Sequence, residues 1–550
     1  MLPVSAITGP FAAALAPSAF AFQRALSDPR RAQERAFARA RAQVLALARV
    51  RSLEQLRELP YCSYDEIAAD LERVADGAAG LTRAPVLRFE LSGGSSGAHK
   101  LVPMTRPFLD DMNRALLPWL FSLYARTAGV AAGPSYWSVS PLGAKARGRT
   151  RGGIAIGAQD DVSWLPRALR GVLARVLAVP ASLAGLTDVE RCRYATLRVL
   201  LEREDLALIS VWSPTFLTLL MEALDRDLER LLFDLERGTL SLNGDHGVQL
   251  GLSLRARPTR AAALRAIARE RSLTSADLWP KLALLSMWTD AAAASFVAGA
   301  RARFPGVAVQ GKGLLATEGV TSIPWPSLVG DGAPVLAVRS HVLEFLDVRG
   351  DGCVGDARFV HEIEDGRVYE VVLTTSAGLV RYRSGDLVRV EGRVDATPRV
   401  RFLGRAGMVS DVVGEKLAAT YVGAVFAELA AVRGARFAML APVLPSAGAP
   451  RYRLYLERGV HDVDALKTSD VELARVIDAS LCEGHPYRYA RALGQLGPVE
   501  VVRVTDGTRF YEAACLARGQ RAGDIKPTPL HPARDWHEHL GAHGDERGWL

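Results

Sequence analysis

The chain has 550 residues, 49% of them hydrophobic and 23% charged, which is enough for two or more domains with ample core and excludes a disordered chain. Its 68 basic and 60 acidic residues leave a net charge of +8, small for this length and without a basic cluster interleaved with aromatics, so no nucleic-acid partner is expected. The five cysteines, Cys62, Cys192, Cys353, Cys482 and Cys515, lie far apart with no C-x-x-C spacing, which argues against a zinc site or a disulfide framework and fits a reducing cytoplasm.

The first 23 residues carry no charge and include AAALAPSAFAF, but no basic segment precedes this run and Pro3, Pro10 and Pro17 interrupt it. The expectation is an N-terminal cap packed on the body. No other uninterrupted apolar run reaches the roughly 20 residues that cross a bilayer, so no membrane segment is expected. Asp28 to Ala48 has helical spacing, and Ser63-Tyr-Asp-Glu66 predicts a second helix with a serine cap and early acids.

Val86 to Leu91 then reads as a strand leading into Leu91 to Met104, LSGGSSGAHKLVPM, which places three glycines, three serines and a lysine between two apolar runs. Glycine lets backbone N–H groups converge, hydroxyls add donors and lysine adds charge, so Ser92 to Lys100 suits a polyphosphate. Lysine is also scarce: Lys100, Lys145, Lys281, Lys312, Lys416, Lys467 and Lys526 are the only ones in the chain. A Walker A loop is excluded, because Ala98 and His99 separate Gly97 from Lys100 and Leu101 follows it. Gly93 to Gly97 also matches the G-x-S-x-G of a serine hydrolase with Ser95 as nucleophile, but a strand and Pro103 follow where that elbow requires a helix. A plain glycine/serine connection between strands is the third reading.

Pro107 to Tyr124 predicts an amphipathic helix. Ser135 to Ser140, Ile209 to Trp212 and Ala283 to Trp288 predict short buried strands, the last two leading into the helix from Thr215 and an alanine-rich helix ending at Pro305-Gly306. This alternation points to α/β layers. From Val335 to Val390 closely spaced strands with Gly/Asp turns predict an antiparallel sheet or small barrel. Beyond Arg405 a small-residue and polar stretch, 406–416, precedes a compact α+β unit, so the expected organisation is a large domain 1–405, a hinge 406–416 and a small mobile domain 417–550.

Two further motifs carry chemistry. Gln310-Gly-Lys-Gly-Leu-Leu-Ala-Thr-Glu-Gly319 sets Thr317 and Glu318 near what should be the end of a buried strand, where open α/β sheets keep ligands, and an acid beside phosphates reads as a magnesium ligand. Arg381-Tyr-Arg-Ser-Gly-Asp386 offers a carboxylate at a glycine turn, a fitting acceptor for two ribose hydroxyls; taken alone, the Thr317-Glu318 motif could be a helix or turn cap and this one a surface hairpin.

Together with SVWSPTFLTLL at 210–220, GLVRYRSGDLVRV at 378–390, VRFLGRAGMVSDVVGEKL at 400–417 and GDIKPTPL near the end, these segments resemble the auxin-responsive acyl acid amido synthetase family of the adenylate-forming superfamily, including its bacterial members. The resemblance implies an α/β fold with a large N-terminal domain for ATP and a carboxylic acid and a rotating C-terminal cap. It implies ATP contacts from Ser92, Ser95, Ser96, Lys100, Thr317, Glu318, Arg383 and Asp386, magnesium at Glu318, and catalytic roles for Arg405, Lys416 and Lys526. The acyl pocket is expected around Trp212, Phe216, Trp288 and Asp290. The implied reaction is acyl-adenylate formation followed by transfer to an amine such as an amino acid; the alternatives are thioester formation with coenzyme A and, more distantly, hydrolysis at Ser95. Gly94 stands where many relatives carry threonine, and Leu315-Ala316 where an adenine-side aromatic is common. The acid, the amine and the oligomeric state stay open.

Overall fold

The computed structural model describes residues 4–93, 99–139, 148–157, 161–186, 188–242, 250–326, 332–349, 352–406, 408–445, 448–457, 469–520 and 522–540. It falls into two compact units: Met1–Trp212, Leu220–Trp288 and Phe304–Phe402 in the first, and Ser213–Leu219, Thr289–Arg303 and Leu403–Leu550 in the second.

The first unit opens with one helix, Ser5–Leu26, that runs through Pro10 and Pro17. Both prolines are exposed, whereas Phe11, Leu15, Ala19, Phe22 and Leu26 are buried at spacings of four and three. The buried stripe lies against the helix Arg106–Phe121, with Phe11 edge-on to Tyr124 at 5.4 Å. The expected cap is thus a packed helix, and its two prolines sit on the exposed side, where solvent can satisfy the carbonyls they free.

Three sheets make up the body of this unit. A four-stranded mixed sheet carries the hairpin Val86–Gly93 and His99–Thr105. A four-stranded parallel sheet joins Ser135–Trp137, Leu208–Ser210, Leu284–Met287 and Ala308–Gly311 in that spatial order. A seven-stranded sheet, built on antiparallel pairs, takes the chain from Ser322 to Phe402, where this unit ends. The parallel sheet has helices before and after its strands and an apolar core, as such sheets require. One row across it is polar: Trp137, Ser210, Ser286 and Gln310 are cross-strand partners in register.

The second unit is α+β. Phe437–Val443 pairs antiparallel with Arg451–Glu457, which pairs parallel with Glu500–Arg503. The helices Ala419–Glu428, Asp470–Leu481, His485–Ala492 and Gly507–Ala517 belong to the same unit, with buried clusters around Leu440, Leu454 and Ile477 and around Tyr455, Tyr511 and Trp536. No helix among the described residues is long and apolar enough to cross a membrane.

Candidate functional site

The glycine/serine stretch is the mouth of an antiparallel hairpin whose last described pairs are Leu91 with Leu101, Ser92 with Lys100 and Gly93 with His99. Residues 94–98, and with them Ser95 and Ser96, lie outside the described residues. A strand, His99–Thr105, follows the loop where a hydrolase elbow needs a helix.

Tyr64 braces this mouth. Glu66 caps the helix Tyr64–Ala75 by accepting the Ser63 N–H at 2.6 Å and the Ser63 hydroxyl at 2.8 Å, which sets Tyr64 at the first helical position. Its hydroxyl oxygen then accepts the Leu101 N–H at 2.7 Å, and the Lys100 ammonium stands 5.0 Å from its ring centroid. Burial raises the phenol above its ordinary range, the Leu101 N–H opposes this, and the charges of Glu72, Asp65 and Glu318 add to it. Tyr64 is therefore within electrostatic reach of Glu318 as well as of the hairpin.

Thr317 and Glu318 do not end the buried strand, which stops at Gly311; they form the two-residue turn of a small hairpin, Leu315–Ala316 with Gly319–Val320. The wide gap between strand end and motif is occupied by Lys312 to Leu314, whose Gly313 passes so close to the Ser322 backbone that a Cβ there would overlap its carbonyl. Glu318 is only 3% exposed. Under the turn sits His341, 2% exposed and stacked on Phe108 at 5.2 Å. A Cβ on Gly319 would lie 2.9 Å from the His341 Cδ2, which explains glycine at this position. Among the described residues neither ring nitrogen of His341 has a hydrogen-bond partner, and burial holds the imidazole at about 4, hence neutral.

Asp386 is not at a hairpin turn either. It stands on a bulge inside the long strand Tyr382–Val394, where the partner of Glu370 is Leu387 and that of Val372 is Arg383. Gly385 takes φ 76° there, the Ser384 hydroxyl donates to the Val371 carbonyl at 2.9 Å, and the Asp386 N–H donates to Ser384 Oγ at 3.1 Å. The structure engages Arg383 with Glu370 through Nε at 2.9 Å. Cys353 donates to the same carboxylate at 3.1 Å; burial and Glu370 push its thiol up to about 11, so it is no thiolate nucleophile.

The chain from Arg57 to Tyr64 ties these parts of the first unit together. Arg381, 2% exposed, donates to the Arg57 and Leu59 carbonyls and pairs with Glu344 at 3.0 Å. Cys62 exchanges backbone hydrogen bonds with Arg381 and Arg383, and two residues later Tyr64 reaches the glycine-rich hairpin. Two expected site segments about three hundred residues apart in sequence thus share one strut.

Of the residues expected around the acyl group, Trp212 and Trp288 belong to the first unit and Phe216 and Asp290 to the second. The two tryptophans follow adjacent parallel strands, their rings 5.4 Å apart and the Trp288 N–H donating to the Trp212 carbonyl at 2.8 Å. Both are half-buried, and they stand at the carboxyl edge of the sheet.

In the second unit Arg405 ends the strand Thr397–Arg405. Lys416 is exposed with φ 43°, on a turn that buried Glu415 pins by accepting the Val412 and Val413 N–H groups at 2.9 and 2.8 Å and the Tyr452 hydroxyl. Left-handed backbone is costly for lysine, and this anchoring holds it. Lys526 is exposed too, its carbonyl accepting the Tyr511 hydroxyl at 2.9 Å.

Among the described residues no three His, Cys, Asp or Glu side chains cluster as a metal cage. The buried carboxylate of Glu318 is the kind of donor that a magnesium ion carried mainly by phosphates and water would take. The fit is to that kind of site and to no all-protein one.

Residues 43–309 match the GH3 family N-terminal domain, residues 335–405 its central domain and residues 419–534 its C-terminal domain. The chain is 24% identical over 499 residues to the indole-3-acetic acid-amido synthetase GH3.4 of Arabidopsis thaliana, covering 85% of this chain and 82% of that one. Its fold is similar to that of the GH3.15 acyl acid amido synthetase, with a TM-score of 0.80, 18% identity and 96% of both chains covered. The same protein in complex with 2,4-DB matches with a TM-score of 0.81, 19% identity and 96% of both chains covered.

Proposed function

Since this chain belongs to the GH3 family, we propose that it is an ATP-dependent acyl acid amido synthetase, a ligase that joins a carboxylic acid to an amine, an amino acid foremost. A carboxylate is a poor acyl donor, and linking it to AMP creates a mixed anhydride with a stable leaving group. In the first step a carboxylate oxygen attacks the α-phosphorus and the bond to the bridging oxygen breaks, so that pyrophosphate departs. In the second an amine attacks the acyl carbon, AMP leaves and the amine gives up a proton.

Anions meet in the first step, so the protein's task is positioning and charge neutralisation. In this reading Ser92, Ser95, Ser96 and Lys100 hold the phosphates, Thr317 the α-phosphate side, and Asp386 the ribose with Arg383 beside it. Bound at Glu318, a magnesium ion would neutralise phosphate charge. Arg405 serves from the end of the adenylation domain 1–405, Lys416 from the hinge 406–416 and Lys526 from the cap 417–550. Trp212, Phe216, Trp288 and Asp290 face the acid. The five cysteines, all free, suit the cytoplasm.

The observation that carries the reading is that the glycine-rich hairpin, held by Tyr64, and the Arg381–Arg383 segment, held by Cys62, are tied to one short stretch of chain. Incubation with ATP, magnesium, a panel of carboxylic acids and pooled amino acids tests it: acid-dependent pyrophosphate and a product with the mass of an amide are expected. A thioester formed only with coenzyme A would replace the assignment by an acyl-CoA ligase, and turnover without ATP would remove it.

A further inference from the structure

The chain spaces its arginines, and folding gathers five of them from four segments of the first unit: Arg24 on the helix Ser5–Leu26, Arg35 and Arg39 on the helix Pro29–Gln43, Arg114 on the helix Arg106–Phe121, and Arg339 on the connection after Val338. Buried Asp111 stands at their centre. Its Oδ1 pairs with Arg39 Nε at 2.6 Å and with Arg114 Nε at 3.4 Å, while its Oδ2 accepts the Ser376 hydroxyl at 2.5 Å. Arg39 Nη2 donates to the Arg339 and Ser340 carbonyls at 2.6 and 3.0 Å, and Arg339 Nη1 donates to the Ser18 carbonyl at 3.2 Å, so three helices and the connection are tied at this point. Arg35 lies one turn before Arg39, on the same face of its helix. Among the described residues Asp111 is the only carboxylate within ion-pair distance of any of the five.

Five guanidinium groups around one carboxylate repel one another. Burial and then Arg114, Arg39, Arg35 and Arg24 hold Arg339 down at about 10, and burial with Arg114 lowers Arg39 against the opposing pull of Asp111. A guanidinium keeps its proton at neutral pH, so this repulsion stays in the folded molecule until an anion relieves it. A single negative charge would leave most of it, whereas a chain of phosphates brings several charges and presents oxygens in pairs to the guanidinium forks. Arg24 and Arg35 are exposed and Arg39, Arg114 and Arg339 half-buried, which gives the cluster a fixed base and a rim that solvent reaches.

We propose that these arginines form a binding site for a polyphosphate, a chain of two or more phosphate groups, apart from the residues assigned above to ATP. The proposal does not depend on the adenylation reading. The occupant is either a free chain such as inorganic pyrophosphate or the phosphate arm of a nucleotide, which share this chemistry.

The test is isothermal titration of the full chain with inorganic pyrophosphate, at low salt and without magnesium, beside orthophosphate, citrate and ADP. The wild type should bind pyrophosphate about tenfold or more tighter than orthophosphate or citrate. R24S/R35S should weaken pyrophosphate about tenfold or more, and should leave the KM for ATP in acid-dependent pyrophosphate release within twofold of the wild type. Melting temperatures give a second readout that needs no turnover. Pyrophosphate should raise that of the wild type by several degrees, whereas R24S/R35S, relieved of repulsion, should melt at or above the wild type without anion and gain little from adding it. Arginines that served structure alone would make the anion-free variant melt lower. ADP held tighter than pyrophosphate through the same arginines identifies a nucleotide arm, and the reverse order a free chain. Equal pyrophosphate affinity in wild type and R24S/R35S, citrate bound as tightly as pyrophosphate, a lower melting temperature of the anion-free variant, or an ATP KM that rises with the pyrophosphate Kd overturns the proposal.

Discussion

The Tyr64 hydroxyl accepts the Leu101 N–H at 2.7 Å, one residue beyond the lysine whose ammonium its ring faces. This contact fixes the exit of the glycine-rich loop to the start of a capped helix. Y64F removes the acceptor and keeps the ring. The KM for ATP should rise about five- to tenfold, consistent with the roughly 1 kcal/mol of one hydrogen bond, while the acid KM stays within twofold. Initial-rate kinetics in both substrates check it.

Gly319 has no space for a methyl group because His341 lies behind it. G319A should destabilise the fold by about 1–3 kcal/mol, the usual cost of overpacking, and should lower kcat by displacing Glu318. In G319A/H341A the added methyl gains room, so the double variant should recover part of the kcat lost in G319A. Denaturation midpoints and kcat, read together, separate strain from loss of fold.

The neutral imidazole of His341 sets a pH dependence. Burial lowers its folded value to about 4 from an ordinary 6.5, with Asp111 opposing and Arg39 reinforcing the shift. The unfolded state then binds more protons below pH 6.5, so stability is fully present above 6.5 and is lost as pH falls toward 4. His531 in the second unit, also lowered to about 4 by burial, acts in the same direction. Between pH 7.5 and 5 His341 alone should cost about 2 kcal/mol, and urea unfolding of H341F should show a shallower pH slope than the wild type.

Arg381 and Glu344 form a buried pair, 2% and 0% exposed. R381M leaves the carboxylate without its cation and the Arg57 and Leu59 carbonyls without their donor. Such breaks cost about 3–5 kcal/mol, and the strut from Arg57 to Tyr64 should loosen with it. R381M/E344L should be less destabilised than R381M, as measured by chemical denaturation.

Lys416 and Lys526 are exposed, so K416A and K526A should leave the melting temperature nearly unchanged. If Lys416 serves adenylation, K416A should lower acid-dependent pyrophosphate release about a hundredfold or more, the order seen when one charge-stabilising donor is removed. Comparing that release with amide formation in the two variants assigns each lysine to a half-reaction.

Much of this arrangement was legible in the chain because local chemistry announces itself. The Ser63/Glu66 cap, the strands flanking the glycine-rich loop and the helix–strand alternation were read from spacing alone. Asp386 was misplaced on a turn because a bulge inside a strand has the same Gly-Asp signature as a hairpin, and only the partner strand reveals it. The prolines of the first helix looked like breaks because exposure, not identity, decides whether a lost hydrogen bond is expensive. His341 carries no motif and Tyr64 only that of a helix cap, and both matter through what folding brings beside them.

The most direct measurement follows oxygen. With a carboxylic acid labelled with oxygen-18 in its carboxyl group, ATP, magnesium and an amino acid acceptor, acyl-adenylate chemistry requires one labelled oxygen to pass to the phosphorus. Mass spectrometry should find AMP carrying a single oxygen-18 and an amide retaining the other. Unlabelled AMP, or label in orthophosphate alongside ADP, would contradict the account.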